Sequence, residues 1–266
     1  MPAPFRPVQP IIWINGWPAM GKLALAQCIC QLLGQDRAVV IDDREFTDQL
    51  NLPRDALMSR HVSRSGGRPR GLSVGDINGN THTHRYNAKQ EACFRKFVYG
   101  DEDDEAIKNG KVDAVQRQRV IIFTDCRAND KVGAEGARRY ENAARDAGRQ
   151  FVPIYVECLP EEQERRAKSS DKLYTQVEGA AMTGAEAARE LQALADGRLF
   201  TFPQDTVPGL YINVTNQLIH DSAMKVISFI NAIAEKRTDA VKESAAASAR
   251  RRHGIFVALA IENKAI

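Results

Sequence analysis

Ile11-Ile12-Trp13-Ile14-Asn15-Gly16-Trp17-Pro18-Ala19-Met20-Gly21-Lys22-Leu23 is the stretch that decides the architecture of this chain. A short apolar run over 11–14 leads into a segment, 15–21, that carries glycine and proline. From 22 to 33 the pattern turns helical, with Leu23, Ala26, Cys30 and Leu33 at three- and four-residue steps, and Gly34 follows as a C-terminal cap would. Residues Gly16 to Lys22 fit the spacing G-x-x-x-x-G-K between a strand and a helix. Glycines let the backbone curl so that successive N–H groups face an anion, and the helix that follows aims its positive end at the same place. Lys22 would then reach the outer phosphates as a mobile point charge. The plain alternative is a strand-to-helix turn with an exposed lysine. Leu23 departs from the pattern, because the next residue is ordinarily a Ser or Thr whose hydroxyl ligates Mg²⁺. Either a carboxylate or water replaces that hydroxyl in holding Mg·ATP, or the site binds nucleotide and turns over slowly or not at all.

Outward from this stretch, apolar runs at 38–41, 120–123, 151–156 and 210–214 read as further buried strands. Helical patterns at 132–147, 160–167, 183–195 and 219–234 alternate with them. That alternation predicts a doubly wound α/β domain over 8–235, with a parallel sheet of about five strands covered on both faces. Two regions break it. Residues 61–85 are rich in Gly, Ser, Arg and Asn and read as an insertion near the top of the sheet. Residues 236–266 form a C-terminal extension with no assigned role.

The chain has 266 residues, 27% charged and 43% apolar, the mix of an ordinary globular protein. Its 37 basic and 34 acidic residues leave a net +3, which gives no charge-based case for nucleic acid. Five cysteines with no CxxC pair exclude a disulfide framework and a Cys-only zinc site. No window reaches about 18 apolar residues, so a cytoplasmic protein with no membrane partner is expected.

Ligands in open α/β sheets sit outside the carboxyl ends of the strands. Asp42 and Asp43 end the second strand and Asp125 the third. Asp42 can accept a substrate hydroxyl proton and Asp125 can hold a metal; helix capping is the alternative role for both. After the fourth strand, 160–175 carries acids first and then Arg165, Arg166 and Lys168 around a Ser169-Ser170-Asp171 break. These cations could close as a lid over a triphosphate, with Arg165 and Arg166 the contacts, or could simply suit the helix dipole. Paired His82 and His84 lack a third ligand. Arg54, Arg60 and Arg64 could face an anionic substrate.

In this order the segments 11–26, 39–44, 119–130, 151–172 and 209–216 resemble the small-molecule kinase-like P-loop proteins. That group includes shikimate, gluconate and nucleoside-monophosphate kinases and chloramphenicol phosphotransferase. More closely, the chain resembles an AAA_33-type subset related to tunicamycin-resistance proteins, in which a Leu after the lysine is also common. The resemblance implies a three-layer, nucleotide-kinase-like P-loop fold. It implies an ATP site on the backbone from Gly16 through Trp17, Pro18, Ala19, Met20, Gly21 and Lys22 to Leu23, with the adenine edge at Thr215 and Asn216. It also implies Asp42 as the substrate-side acid and lid cations at Arg165 and Arg166. The expected activity is ATP- and Mg²⁺-dependent phosphoryl transfer to a hydroxyl of a small molecule. Two alternatives stay open: a catalytically weak nucleotide-binding module that regulates a partner, and a kinase of a nucleic-acid end or a nucleotide sugar.

Overall fold

In the computed structural model, the residues described are 8–42, 88–99, 117–174, 193, 197–236 and 239. Asp43, the arginines at 54, 60 and 64, the insertion at 61–85 with its two histidines, most of the expected helix at 183–195, and nearly all of 236–266 lie outside them. The chain divides into two compact units, Met1–Ala223 and Met224–Ile266. The sheet and the candidate site belong to the first. The described part of the second is helical through 236, within a helix over 219–236.

Five parallel strands make one sheet in the order β2-β3-β1-β4-β5. They are β1 (Ile11–Gly16), β2 (Ala38–Asp42), β3 (Val120–Asp125), β4 (Phe151–Glu157) and β5 (Leu210–Asn213). The central strand β1 is buried along its whole length, which is why its sequence is a continuous apolar run rather than an alternating one. The α/β class with five strands and helices on both faces is therefore the one observed.

Period-two alternation sorts the strand residues between the faces. Ile11, Trp13, Ile41, Ile121 and Phe123 join one core cluster with helix α2 (Lys131–Asp146), through Ala137, Tyr140, Ala143 and Ala144. A π-helical segment, Phe94–Tyr99, adds Phe94 and Val98 to that cluster. Helix α1 (Lys22–Leu33) buries Leu25, Ala26 and Ile29 outside it, on the opposite face. Gly34 ends α1 with φ 97°, a left-handed φ that glycine adopts at no steric cost, and its N–H bonds the carbonyls of Cys30 and Gln31. Asp130 caps α2 by accepting from the Gly133 N–H at 2.6 Å.

Helix α3 (Pro160–Tyr174) runs past the Ser169-Ser170-Asp171 stretch at which the sequence suggested a break. Ser and Asp cost a helix only a few tenths of a kcal/mol each, and neither Gly nor Pro is present to stop it.

Trp13 is the hub of the α2-side core. Its indole lies 5.9 Å from the Tyr140 ring, 6.2 Å from Phe151, 6.4 Å from Tyr155 and 6.0 Å from Phe202. The buried indole Nε1 has no hydrogen-bond partner among the described residues, so the side chain acts through its rings. Trp13→Ala should cost about 3–5 kcal/mol of stability, and Trp13→Phe markedly less; urea unfolding of the two variants checks the ordering.

Candidate nucleotide site

Strand order places a crevice. From β1 the chain crosses to β2, beyond β3; from β3 it crosses to β4, on the far side of β1. The connections leaving these neighbouring strands diverge at their carboxyl ends, and that is where α/β sheets take ligands. The loop between β1 and α1 stands at this point.

Its backbone is curled. Ala19 (φ 64°) and Gly21 (φ 84°), on either side of Met20, both have left-handed φ values, and such alternation turns N–H groups toward one side. The N–H groups of Ala19, Gly21, Lys22, Leu23 and Ala24 have no acceptor among the described residues, and no side chain caps the helix. No acid stands in the first turn of α1, so the positive end of its dipole is not offset there. Lys22 folds back over the loop, donating from Nζ to the carbonyls of Gly16 at 2.7 Å and Trp17 at 3.0 Å. A Cβ at Gly16 would press within 3.0 Å of the Val156 carbonyl and 3.2 Å of the Lys22 side chain, so glycine is what lets Lys22 lie there. Trp17 and Met20 are buried. These bulky residues anchor the loop to the body of the protein.

At the strand ends, Asp42 and Thr124 are register partners, and the Thr124 hydroxyl donates to Asp42 Oδ1 at 3.1 Å. Both are buried. Asp125 faces the other side of the sheet. Its Oδ2 accepts from Arg127 Nε at 2.6 Å and its Oδ1 from the Cys126 N–H at 2.8 Å. The expected metal-side acid is thus already half of a buried ion pair. Gly136 makes room for this guanidinium, since a Cβ there would come within 2.8 Å of it. No group of three or more His, Cys, Asp or Glu placed to hold a metal occurs among the described residues.

Asn15, which the motif leaves unspecified, uses both ends of its carboxamide at the site. Its amide donates to the carbonyls of Arg127 at 3.1 Å and Phe200 at 3.0 Å, and its oxygen accepts from the Arg127 N–H at 2.8 Å. A buried asparagine ending an apolar strand run was the sequence signal for it.

Helix α3 docks on the loop through its first two turns. Gln163 donates to the Pro18 carbonyl at 2.9 Å. Arg166, 24% exposed, donates from Nη1 to the Met20 carbonyl at 3.2 Å, from Nη2 to the Val214 carbonyl at 3.0 Å and from Nε to Glu162 at 2.6 Å. Its Nη1 would lie 3.4 Å from a Cβ on Gly21. Arg165 differs: it is 69% exposed and its described contacts are a fork onto Glu162 at 2.7 Å and 2.7 Å. The structure therefore brings Arg166, and not Arg165, to the loop. Glu162 and Gln163 were missed, although the three- and four-residue spacing of Glu162 to both arginines is legible in the sequence.

Thr215 and Asn216 lie just beyond β5. The Thr215 hydroxyl accepts from the Leu159 N–H at 2.8 Å, its own N–H bonds Asn213 Oδ1 at 2.9 Å, and Asn216 adopts φ 54°. Arg166 ties this turn to the glycine loop. No helix among the described residues is long and apolar enough to cross a membrane.

A parallel sheet with a glycine curl and lysine at its switch point is a P-loop type of α/β fold. No family model matches the chain, so membership of the AAA_33-type subset is not shown, and no curated protein matches it in sequence. Similar solved structures include a putative kinase from Chloroflexus aurantiacus, at 14% identity, covering 86% of this chain and 99% of that one, TM-score 0.49. The APS kinase of Mycobacterium tuberculosis, solved with AMPPNP and APS, matches at 15% identity over 85% of this chain and 99% of its own, TM-score 0.47. The tunicamycin resistance protein of Deinococcus radiodurans matches at 13% over 84% and 95%, TM-score 0.40. All three fall below 25% identity and a TM-score of 0.5, so the functional reading rests on the chain's own geometry.

The two arginines hold the Glu162 carboxyl down to about 2, from an ordinary 4.5. The folded state thus favours the charged form, so this contribution is intact above about pH 4.5 and is lost as pH falls toward 2. Glu162→Gln should flatten that part of the acid limb in a series of thermal melts between pH 5 and 2, because the glutamine has no proton to take up.

Proposed function

We propose that the protein is an ATP-dependent phosphotransferase acting on a hydroxyl of a small molecule. What carries the reading is the curl of residues 16–22, with amides that have no acceptor among the described residues and Lys22 folded over them. Such a cradle suits a polyphosphate, whose oxygens can take up the loop and helix N–H groups together. Lys22 would exchange its two carbonyl partners for phosphate oxygens and follow the charge as it develops. Arg166, already beside Gly21, adds a second cation, while Arg165 stays with Glu162.

Asp42 is the acid placed to take the acceptor's proton. Thr124 holds it in position at the strand end by donating to one carboxylate oxygen. Mg²⁺, when bound with the nucleotide, supplies charge neutralisation on the phosphates. Leu23 offers it no ligand, and Asp125 is engaged by Arg127, so Asp42 and Thr124 are the residues from which it would be held, through water. The loop fits a nucleotide better than this donor set fits a tightly bound metal. That mismatch favours one second reading, a module that binds nucleotide and turns it over slowly or not at all.

Two variants separate the roles. Lys22→Ala should lower phosphoryl transfer by about 100-fold or more and weaken ATP binding; normal turnover in this variant would refute the assignment. Asp42→Asn should cut transfer by about 100- to 10,000-fold with ATP affinity nearly unchanged, measured as ADP release against calorimetric binding. Binding by the native protein with no ADP accumulating over long incubation is the result expected of the regulatory module instead.

A further inference from the structure

A polyphosphate without metal carries more negative charge than its Mg²⁺ complex. The balance of cations and metal donors around the glycine loop therefore decides which form suits it. This inference rests on the nucleotide reading above and asks in which form the nucleotide is held.

The cations stand at the loop. Lys22 Nζ donates to the neutral carbonyls of Gly16 at 2.7 Å and Trp17 at 3.0 Å, and no carboxylate meets it among the described residues. Its charge is therefore not offset there. Arg166 places Nη1 at 3.2 Å from the Met20 carbonyl and 3.4 Å from the position of a Cβ on Gly21. Glu162 bonds Arg166 but is shared with Arg165, so these three side chains keep a net positive charge. The first turn of α1 holds no acid, and the positive end of that helix adds to both cations.

The metal donors stand elsewhere. Mg²⁺ bonds oxygen at about 2.1 Å in near-ideal octahedral geometry. The side chain after Lys22 is Leu23, which has no oxygen to give. Asp125 is close to the loop in register, opposite Asn15 on β1. By strand alternation, however, its side chain shares the α2 face with Ile121 and Phe123, whereas the loop runs into α1 on the opposite face. Its Oδ1 is held by the Cys126 N–H and its Oδ2 by Arg127 at 2.6 Å, so a metal there would sit against a buried guanidinium. Asp42 ends β2, which lies beyond β3, two strand spacings or about 10 Å from β1. The loop and the donors around it thus disagree about a divalent ion.

We propose that Lys22 and Arg166 take the place of the divalent ion in holding the nucleotide, and that metal-free ATP binds here as tightly as Mg·ATP or more tightly. Mg²⁺ on the phosphates competes with two cations that the chain already supplies.

Calorimetric titration of the full chain with AMP-PNP, once in EDTA and once in saturating Mg²⁺, tests this directly. The dissociation constant in EDTA is expected to lie within about threefold of that in Mg²⁺, or below it. Weaker binding than this in EDTA overturns the inference and leaves the nucleotide reading intact. Binding in neither buffer overturns both. Arg166→Met gives a second measurement. Loss of a cation costs the more highly charged form more, so the ratio of the dissociation constant in EDTA to that in Mg²⁺ should rise by about threefold or more. Only the ratio is read, because Arg166 also ties Met20 to Val214 and its loss weakens both forms. A smaller rise would overturn the place given to Arg166.

Discussion

At the carboxyl end of the central strand, the carboxamide of Asn15 makes three buried hydrogen bonds to two segments far away in sequence, at Arg127 and Phe200. Its register partners are Asp125 on one side and Tyr155 on the other. Tyr155 in turn accepts from the Phe202 N–H at 2.7 Å, so the 200–202 segment is tied down twice. A buried amide that loses such partners costs about 1–3 kcal/mol for each group left unmet. Gly16 and the curl begin at the next residue. The loop can hold a left-handed backbone at Ala19 and Gly21 because the strand end from which it springs is fixed by this clamp.

A second anchor comes from the opposite direction. Glu162 holds Arg166, and Arg166 reaches both the loop and the turn after β5, while Gln163 holds the Pro18 carbonyl. The start of α3 is thus a strut between two loops at the same edge of the sheet. A cation engaged in three places does not need to travel far to meet a phosphate, whereas Arg165, forked onto the same glutamate and open to water, has no such placement. In this arrangement the start of α3 stands against the loop, and Lys22 lies over the loop from the other side of Gly21 in sequence.

Much of the fold was legible because its signals are local. Glycine at 34 stops a helix for steric reasons, and apolar runs between helical patterns can only be the strands of a sheet covered on both faces. The strand-glycine-helix sequence at 11–33 could likewise be read without any partner. The helix over 160–174 was underestimated, because Ser and Asp weaken a helix without ending one. The pairing of Asp125 with Arg127 was not visible. A carboxylate two residues before an arginine on an extended chain implies nothing about contact until the backbone turns and Gly136 opens the space.

The chain by itself determined the element order, the parallel sheet and the position of the glycine loop, since each follows from hydrophobic period and backbone sterics within a few residues. Which of two adjacent arginines touches that loop, and which strand-end acid pairs with Arg127, were decided only in three dimensions. Those answers depend on which distant groups meet. Meetings between residues 112 or 146 positions apart, like those of Asn15 with Arg127 and Arg166 with Met20, are set by the packing of the whole sheet and not by any local preference.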